Sequence, residues 1–342
     1  WYEFVNHRWR YVDDGISIKK LIPTEVANKF REFISQLADK ARTEEPGSKE
    51  QEKLDGQIKK AWTIVQELQQ EPFMNKVVKT CKMLFYNPKF LAIRDENRDL
   101  IGFENGVYDL KLGLFRDGHT DDYITMSCGI NHKEFSFEDD DVKEVVEYLA
   151  QVFPNPHLRD YFIDTICNCL QGGNIYKNFV IFTGDHGDNS KSIAVALLEL
   201  TFGEYIFKFP RGLFVMGSGA QNGTGARPEL TRVRGRRIAF AQEIAKNEKL
   251  HIGIIKELTG NDSFFARTLY EEGGDIKPMF TLFLMCNEPP DIPGHDQATW
   301  NRVRKLDFEA RFIENPPESK KEQIEKKLFK RDPNFKEKLP SM

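Results

Sequence analysis

Apolar side chains in the first part of the chain follow the spacing of amphipathic helices. In residues 26–41 and again in residues 58–68, apolar positions recur every three or four residues. A Pro-Gly loop near residue 46 separates these two segments, and residues 73–86 form a third segment of the same kind. The pattern predicts three helices.

Residues 99–133 change to short apolar runs separated by turn residues. Asn105-Gly106 lies between two such runs, which is a strong local signal for a β-hairpin. Residues 114–116 and 123–126 have the composition of further short strands. This part of the chain therefore predicts a small β element.

Farther along, helix-like and strand-like segments alternate, which is typical of a parallel sheet covered by helices. The predicted helices are 142–153, 157–171, 192–202 and 249–258, and the predicted strands are 178–183, 205–209, 238–242 and 280–287.

These elements predict an α/β fold class with three parts. A mainly helical domain, residues 1–150, contains the β element near 99–133. An α/β domain with a central, mostly parallel sheet occupies residues 151–315. Residues 316–342 are predicted to be a charged helical tail, because residues 320–342 carry eight Lys or Arg against four Asp or Glu, a balance of +4.

Composition limits the classes of function. The 342 residues include 49 Lys or Arg and 53 Asp or Glu, for a net charge of −4. This argues against a protein that coats duplex DNA, although a ring that holds one strand needs positive charge only in its pore. No apolar run approaches the ~20 residues of a membrane helix. The five irregularly spaced cysteines predict reduced thiols.

The first residue is Trp1 rather than Met. We therefore expect the sequence to be part of a longer protein.

The strongest chemical signal is a glycine-rich segment that follows an apolar strand and opens a helix. It reads Gly184-Asp-His-Gly187-Asp188-Asn189-Ser190-Lys191-Ser192. Such a loop binds phosphates through backbone N–H groups and a helix N-terminus. Lys191 would reach the β- and γ-phosphates of ATP, and Ser192 would hold Mg²⁺.

The segment departs from the usual G-x-x-x-x-G-K-[ST] pattern at two positions. Gly184 lies one residue early, so that Asp185 occupies the first glycine position, and Ser190 replaces the glycine before the lysine. A glycine-rich turn without nucleotide is the alternative interpretation.

An apolar strand that ends in a carboxylate follows downstream. A strand beside the phosphate loop is expected to end in an acid that orients water and supports Mg²⁺, and Glu243 fits this role of general base. Gln242 stands where many such enzymes have Asp, so Ser192 and water would contribute more to the metal. The alternative is an exposed glutamate at a strand end.

Two further polar positions follow. Asn287 ends the apolar run 280–287 and could hydrogen-bond the γ-phosphate or the attacking water; the alternative is a turn asparagine. Arg302 and Arg304 come next, and an arginine supplied across a subunit interface can stabilise charge in phosphoryl transfer. The alternative for these two is a pair of surface arginines.

The order of these motifs resembles helicase superfamily 3, and more closely the primase-helicases of large nucleocytoplasmic DNA viruses such as poxviruses and asfarviruses. The phosphate loop, Glu243, residues 256–262 with Arg267, Asn287 and Arg302 carry this resemblance. Segments 102–110 and 121–125 resemble elements of the domain before the motor. The resemblance covers roughly residues 1–315.

The resemblance implies an AAA+-like module that assembles as a homo-oligomer, a hexameric ring, with ATP and Mg²⁺ between neighbouring subunits. Lys191, Ser192, Glu243 and Asn287 would act from one subunit. Arg302 would reach into the neighbour's site, with Arg304 as the second choice. In the family the primase domain lies upstream, and the expected location is the host cytoplasm, with the nucleus as an alternative.

The family also places a hairpin in the ring pore. Residues 270–277 predict this hairpin, but Glu271, Glu272 and Asp275 make its tip acidic. DNA contact would therefore depend on cationic residues nearby. The candidates are Arg267, Lys277, Lys256 and the loop 217–227. A plain connector is the alternative for the hairpin.

The function predicted from the sequence is that of an ATP-dependent replicative DNA helicase motor. It would translocate on single-stranded DNA and unwind forked DNA during viral genome replication. Two alternatives stay open. One is another P-loop enzyme, such as a small-molecule kinase, and the other is a nucleotide-binding assembly module without turnover.

Overall fold

The computed structural model describes residues 1–184, 187–217, 227–241, 244–267, 273–293 and 297–341. It divides into two compact units. The first consists of Trp1–Val5 and Trp9–Ala92, and the second of Asn6–Arg8 and Ile93–Met342. The domain boundary predicted near residue 150 falls inside the second unit, which also contains the β element.

The first unit is mainly helical, and a two-stranded sheet opens the chain. The strands are β1 (Tyr2–Val5) and β2 (Arg8–Tyr11), and the helices are α1 (Ile16–Leu21), α2 (Ala27–Thr43), α3 (Lys49–Glu67), α4 (Glu71–Leu84) and α5 (Phe90–Ile93).

Helices α2 and α3 pack through apolar positions that the sequence pattern identifies. Ile34 of α2 is buried against Ala61 and Val65 of α3. Helix α3 begins well before the predicted segment 58–68, because Ser48 caps it: the Ser48 Oγ accepts a hydrogen bond from the Gln51 backbone N–H at 3.2 Å.

The second unit begins with a three-stranded antiparallel sheet, formed by β3 (Leu100–Phe103), β4 (Gly106–Asp109) and β5 (Leu114–Arg116). The predicted hairpin is thereby confirmed, with Phe103 paired to Gly106. The strand predicted at 123–126 is wrong. That segment is irregular: Tyr123 has a left-handed φ of 51°, and Thr125 donates its backbone N–H to the Asp95 carboxylate at 2.7 Å instead of joining a ladder.

The remaining helices and strands of the second unit alternate along the chain. The helices are α6 (Asp140–Val152), α7 (Pro156–Asn168), α8 (Lys191–Phe202), α9 (Pro228–Thr231), α10 (Ile252–Thr259), α11 (Gln297–Trp300), α12 (Lys320–Lys326) and α13 (Phe335–Lys338). The strands are β6 (Phe179–Thr183), β7 (Ile206–Phe209), β8 (Ile238–Ala241), β9 (Phe264–Ala266), β10 (Gly274–Ile276), β11 (Thr281–Met285), β12 (Val303–Asp307), β13 (Arg311–Ile313) and β14 (Leu328–Lys330).

Five strands form a parallel sheet at the centre of this unit, in the order β12-β6-β11-β8-β7. Helices cover both faces, so alternate residues of each strand enter two different cores. Phe179 and Ile181 of β6 pack with α10, and Val180 and Phe182 pack with α6, α7 and α8. The predicted α/β fold with a central parallel sheet is confirmed, and it is P-loop-like.

The end of the chain is folded rather than purely helical. Strand β14 pairs in parallel with β13, so that Phe329 lies beside Phe312 and is buried. Leu339 is buried as well. The predicted charged helical tail therefore contains a strand, and its apolar residues attach it to the second unit.

A buried arginine links the small antiparallel sheet to the parallel sheet. The Arg237 side chain is 1% exposed, and its Nη2 donates to the backbone carbonyls of Asn97 (3.2 Å) and Leu100 (3.1 Å). The guanidinium also lies over the Tyr205 ring, 5.5 Å from its centroid. Burial lowers the pKa of Arg237 from its ordinary value, and these acceptors offset part of that cost.

Candidate nucleotide-binding site

The glycine-rich loop joins the carboxyl end of β6 to the first turn of α8. The Gly184 backbone N–H donates to the Asn287 carbonyl at 3.1 Å, which ties the start of the loop to the end of β11. A Cβ at Gly184 would lie 2.0 Å from the Asn189 Nδ2, so the buried Asn189 side chain packs where only glycine leaves room. Asp185 and His186 lie outside the described residues.

Ser190 adopts the backbone conformation that the usual motif obtains from a glycine. Its φ is 65°, and Asp188 has a φ of 58°. Left-handed residues other than glycine are strained, so the surroundings must hold them. The Ser190 Oγ lies 3.0 Å from the Tyr148 hydroxyl of α6, and the Asp188 carbonyl accepts from the Phe312 N–H at 2.8 Å. The departure at Ser190 thus keeps the turn.

Lys191 points to the carboxyl end of the neighbouring strand β11. Its Nζ donates to the Cys286 carbonyl at 2.6 Å and to the Asn287 Oδ1 at 3.2 Å, and the side chain is buried. Burial raises the pKa of the Cys286 thiol to about 11, so a neutral thiol stands beside the lysine. The structure brings Lys191 and Asn287 together, as their predicted roles require.

A cavity of about 740 Å³ opens beside Lys191. We call it the phosphate cavity; Lys191, exposed Ser192 and Asn287 line it, together with Lys208 and Lys246. Lys208 pairs with Glu199 at 2.6 Å, and Lys246 pairs with Glu288. Among the described residues that line this cavity there is no aromatic side chain.

The predicted general base cannot be placed. Glu243 and Gln242 follow the last residue of β8, Ala241, and lie outside the described residues. Strand β11 lies between β6 and β8, so β8 is two strand spacings, about 10 Å, from β6.

Arg302 and Arg304 lie near the amino-terminal ends of the parallel strands, whereas the phosphate loop lies at their carboxyl-terminal ends. Val303 pairs with Phe179, the first residue of β6, whereas the loop follows Thr183 at the other end. Five strand residues span roughly 13 Å from first to last, so one chain does not bring either arginine to its own loop. The Arg302 Nη1 donates to the Thr259 Oγ1 at 3.0 Å and to the Lys256 carbonyl at 3.4 Å.

The Arg304 Nη1 donates to two backbone carbonyls, those of Asn301 at 2.9 Å and Val303 at 2.8 Å.

The predicted hairpin before β11 is present, with its first strand farther upstream than expected. Strands β9 and β10 are antiparallel, and Ala266 pairs with Gly274. Residues 268–272, including Glu271 and Glu272, lie outside the described residues. Arg267 and Lys277 are exposed at the two ends of the hairpin, whereas Lys256 is half-buried on α10.

An aromatic side chain on the hairpin was missed by the sequence analysis. Phe265 of β9 is 61% exposed, and its ring covers Gly273, where a Cβ would lie 2.2 Å away. The sequence feature that could have indicated this residue is the apolar triplet 264–266. Of the loop 217–227, residues 218–226 lie outside the described residues.

A second cavity, of about 690 Å³, lies on the other side of the phosphate loop. We call it the aromatic cavity. Its walls include Tyr148, Phe312, Phe335 and Lys336, none of which the sequence analysis selected. Phe335 and Lys336 stand in the charged end of the chain, where nothing in the local pattern marks them as part of a site.

In the part of the chain that the structure describes, no helix is long and apolar enough to span a membrane, and no three His, Cys, Asp or Glu side chains form a metal cluster.

Comparisons with known proteins show that the chain is similar to viral proteins with helicase or primase names. Residues 1–154 match the family described as D5 N terminal like. A relative named as a helicase, from Acanthamoeba polyphaga mimivirus, is 34% identical over 99% of this chain and 35% of its own length. Another with a helicase name, from Invertebrate iridescent virus 6, is 40% identical over 71% of this chain and 26% of its own length.

A protein of African swine fever virus with a primase name is 22% identical over 72% of this chain and 26% of its own length. The chain therefore spans between about a quarter and a third of the length of these curated relatives. The resemblance predicted from the motifs is confirmed by these matches.

Proposed function

We propose that this chain, which is a D5-type primase-helicase-like protein, is the ATP-hydrolysing motor of a viral replicative DNA helicase. The observation that carries the proposal is the contact of the Lys191 ammonium with the carboxyl end of β11. There it lies beside the phosphate cavity, at the N-terminus of α8.

The phosphate cavity suits a triphosphate. The first turn of α8 presents backbone N–H groups and the positive end of the helix dipole. Lys191, Lys208 and Lys246 add positive charge around it. Lys191 donates to the Cys286 carbonyl and the Asn287 side chain, and these contacts would be exchanged for phosphate oxygens on binding.

The residues at the cavity fit Mg²⁺ bound chiefly through phosphate and water. Ser192 places an exposed hydroxyl there, and the described residues do not form a cage of carboxylates. Mg²⁺ commonly keeps several waters and takes one or two protein ligands plus phosphate oxygens. Bound in this way, it would neutralise charge on the phosphates, with Ser192 and Glu243 as the proposed protein ligands.

The positions of the arginines support an oligomeric motor. Because Arg302 lies at the sheet edge away from its own loop, it can assist hydrolysis only in another copy of the chain. We propose Arg302 as that residue, with Arg304 as the second choice, and a hexameric ring as the assembly. Asn287 would position the γ-phosphate or the attacking water, and Glu243 would act as the general base.

The hairpin of β9 and β10 is the proposed contact for single-stranded DNA. Arg267 and Lys277 are exposed at the two ends of the hairpin and can meet the phosphate backbone, and exposed Phe265 offers a ring on which a base can stack. Lys256 is the weakest of the three cations, because it is half-buried on α10. The upstream primase domain is likewise part of the proposal.

The test is steady-state ATP hydrolysis with and without single-stranded DNA. We expect Lys191→Ala to reduce the rate at least about a hundredfold, because it removes the cation that stabilises charge on the phosphates. Lys111→Ala is the matched control, since Lys111 is exposed on the turn after β4 and should leave the rate unchanged.

If the wild type binds ATP but does not hydrolyse it with DNA present, the chain is a nucleotide-binding assembly module. Transfer of phosphate to a small molecule would instead identify a kinase.

A further inference from the structure

The aromatic cavity has no role in the function proposed so far, although it shares a wall with the phosphate cavity. Asp188, Ser190 and Ile193 line the aromatic cavity, whereas Lys191 and Ser192 line the phosphate cavity. The loop and the first turn of α8 therefore separate the two. A molecule whose phosphates bind the loop has this second space directly beside it.

The lining of the aromatic cavity differs in chemistry from that of the phosphate cavity. Ile193, Phe312 and Phe335 give it a half-buried apolar surface. Tyr148 is buried behind Phe335, and the two rings stack with centroids 4.8 Å apart and planes 25° from parallel. Stacked rings of this kind offer a flat surface to another ring.

Charged side chains of both signs complete the cavity, and Lys330, Arg331 and Lys338 line it from the end of the chain. Glu144 and Glu147 of α6 line it, and carboxylates accept hydrogen bonds from amino and hydroxyl groups but repel phosphate. An apolar floor with acceptors near it suits the neutral part of a nucleotide, its base and sugar. The lysines of the phosphate cavity suit the charged part.

The part of the aromatic cavity that is formed by residues near the end of the chain contacts the phosphate loop directly. The Arg331 Nη1 lies 3.5 Å from the Asp188 Oδ1, and the Phe312 N–H donates to the Asp188 carbonyl at 2.8 Å. Phe312 also pairs with Phe329 across the two parallel strands β13 and β14. The segment that carries Phe335 and Lys336 follows β14 directly.

Among the described residues, Lys336 alone lines both cavities, because it lies between them. It is exposed, next to Phe335, on the short helix α13. A cation at this point would meet the phosphate chain where it leaves the loop towards the sugar.

We propose that the aromatic cavity is the nucleoside subsite of the ATP site. The base and sugar bind against Phe335, Phe312 and Ile193, and Lys336 contacts the phosphate chain. The subsite is formed within one chain, and its C-terminal segment, residues 328–341, contributes Phe335 and Lys336. This inference rests on the proposed binding of ATP at Lys191.

The experiment compares two ligands, ATP and inorganic tripolyphosphate, each with Mg²⁺, by calorimetric titration of the whole chain. Phe335→Ala should weaken ATP binding about tenfold, because stacking on a protein ring is lost, and leave tripolyphosphate binding unchanged. Phe335→Leu should give a smaller loss for ATP, since it keeps apolar volume. Lys336→Gln should weaken both ligands.

Phe137→Ala is the control, because Phe137 is an exposed aromatic of the same unit that does not line the cavity, and it should change neither affinity. Thermal unfolding of each variant shows whether the C-terminal segment remains folded.

Equal weakening of ATP and tripolyphosphate by both Phe335 variants would overturn the subsite, since the ring would then act by holding the loop. Unchanged ATP affinity in Phe335→Ala, with binding still lost in Lys191→Ala, would overturn the subsite and leave the proposed function in place. A wild type that binds neither ligand would instead overturn the proposed function, and the subsite with it.

Discussion

At the scale of single residues, the phosphate loop shows how an unusual sequence keeps a required backbone. The position before the lysine normally carries glycine, since it takes a left-handed φ. Ser190 takes a φ of 65° at a cost of about 1–2 kcal/mol. Two contacts hold it there: its Oγ lies beside the Tyr148 hydroxyl, and its carbonyl accepts a hydrogen bond from the Ala194 N–H. The strain is local to the loop.

Gly184 is predicted to be indispensable for a different reason, the side chain of Asn189. Gly184→Ala would force the buried Asn189 out of its place, where its Oδ1 accepts from the Lys191 N–H at 3.3 Å. We expect a loss of about 1–3 kcal/mol in the free energy of unfolding and weaker ATP binding. Denaturant unfolding and calorimetric titration measure the two effects.

The matched control is another Gly-to-Ala change with open space around it. A Cβ at Gly56, within α3, would meet nothing within 4 Å. Gly56→Ala should therefore stabilise the chain by up to about 1 kcal/mol, since alanine favours the helix. Equal effects of the two substitutions would contradict the role given to Asn189.

The residues of the site divide into those that sequence alone could identify and those that it could not. Lys191 and Asn287 stand at recognisable points, after a glycine-rich turn and at the end of an apolar strand. Tyr148 and Phe335 lie far from the motif in sequence and join the site only through folding. Their local patterns are those of an ordinary helix and a charged terminus.

At the scale of elements, the order of strands decides what meets the phosphate loop. Alternating apolar runs predicted a parallel sheet, but they carry no information on which strands are neighbours. With β11 beside β6, Asn287 comes to Lys191, and β8 lies one strand farther away. The segment 123–126 was misassigned for a related reason. Its apolar residues Ile124 and Met126 are buried by tertiary packing rather than by strand pairing.

Arg237 is predicted to be the main polar link between the antiparallel sheet and the parallel sheet. Arg237→Ala would leave the Asn97 and Leu100 carbonyls without their donor and open a cavity under Tyr205. We expect a loss of about 2–4 kcal/mol in the free energy of unfolding, measured by denaturant titration.

Arg232→Ala is the comparison, because Arg232 is exposed and lies over the Phe207 ring at 5.7 Å. Its loss should stay within about 1 kcal/mol. If both variants lose the same stability, the buried arginine has no special role as a link.

At the scale of the whole molecule, the proposed ATP site would need residues from two copies of the chain. Lys191, Ser192 and Asn287 meet at the carboxyl edge of the sheet, and the proposed arginine lies at the other edge. In the single chain, Arg302 bonds to Thr259 and to the carbonyl end of α10. An assembly in which one copy's amino edge meets the next copy's loop would join them.

The measurement that tests this account most directly is DNA-stimulated ATP hydrolysis by mixed variants. Lys191→Ala and Arg302→Ala chains should each be inactive alone, because each lacks one half of every shared site. Mixed in equal amounts, some interfaces pair an intact loop with an intact arginine, and we predict that hydrolysis returns to a clear fraction of the wild-type rate. A mixture that stays as inactive as its parents, while still assembling, would contradict a site shared between copies.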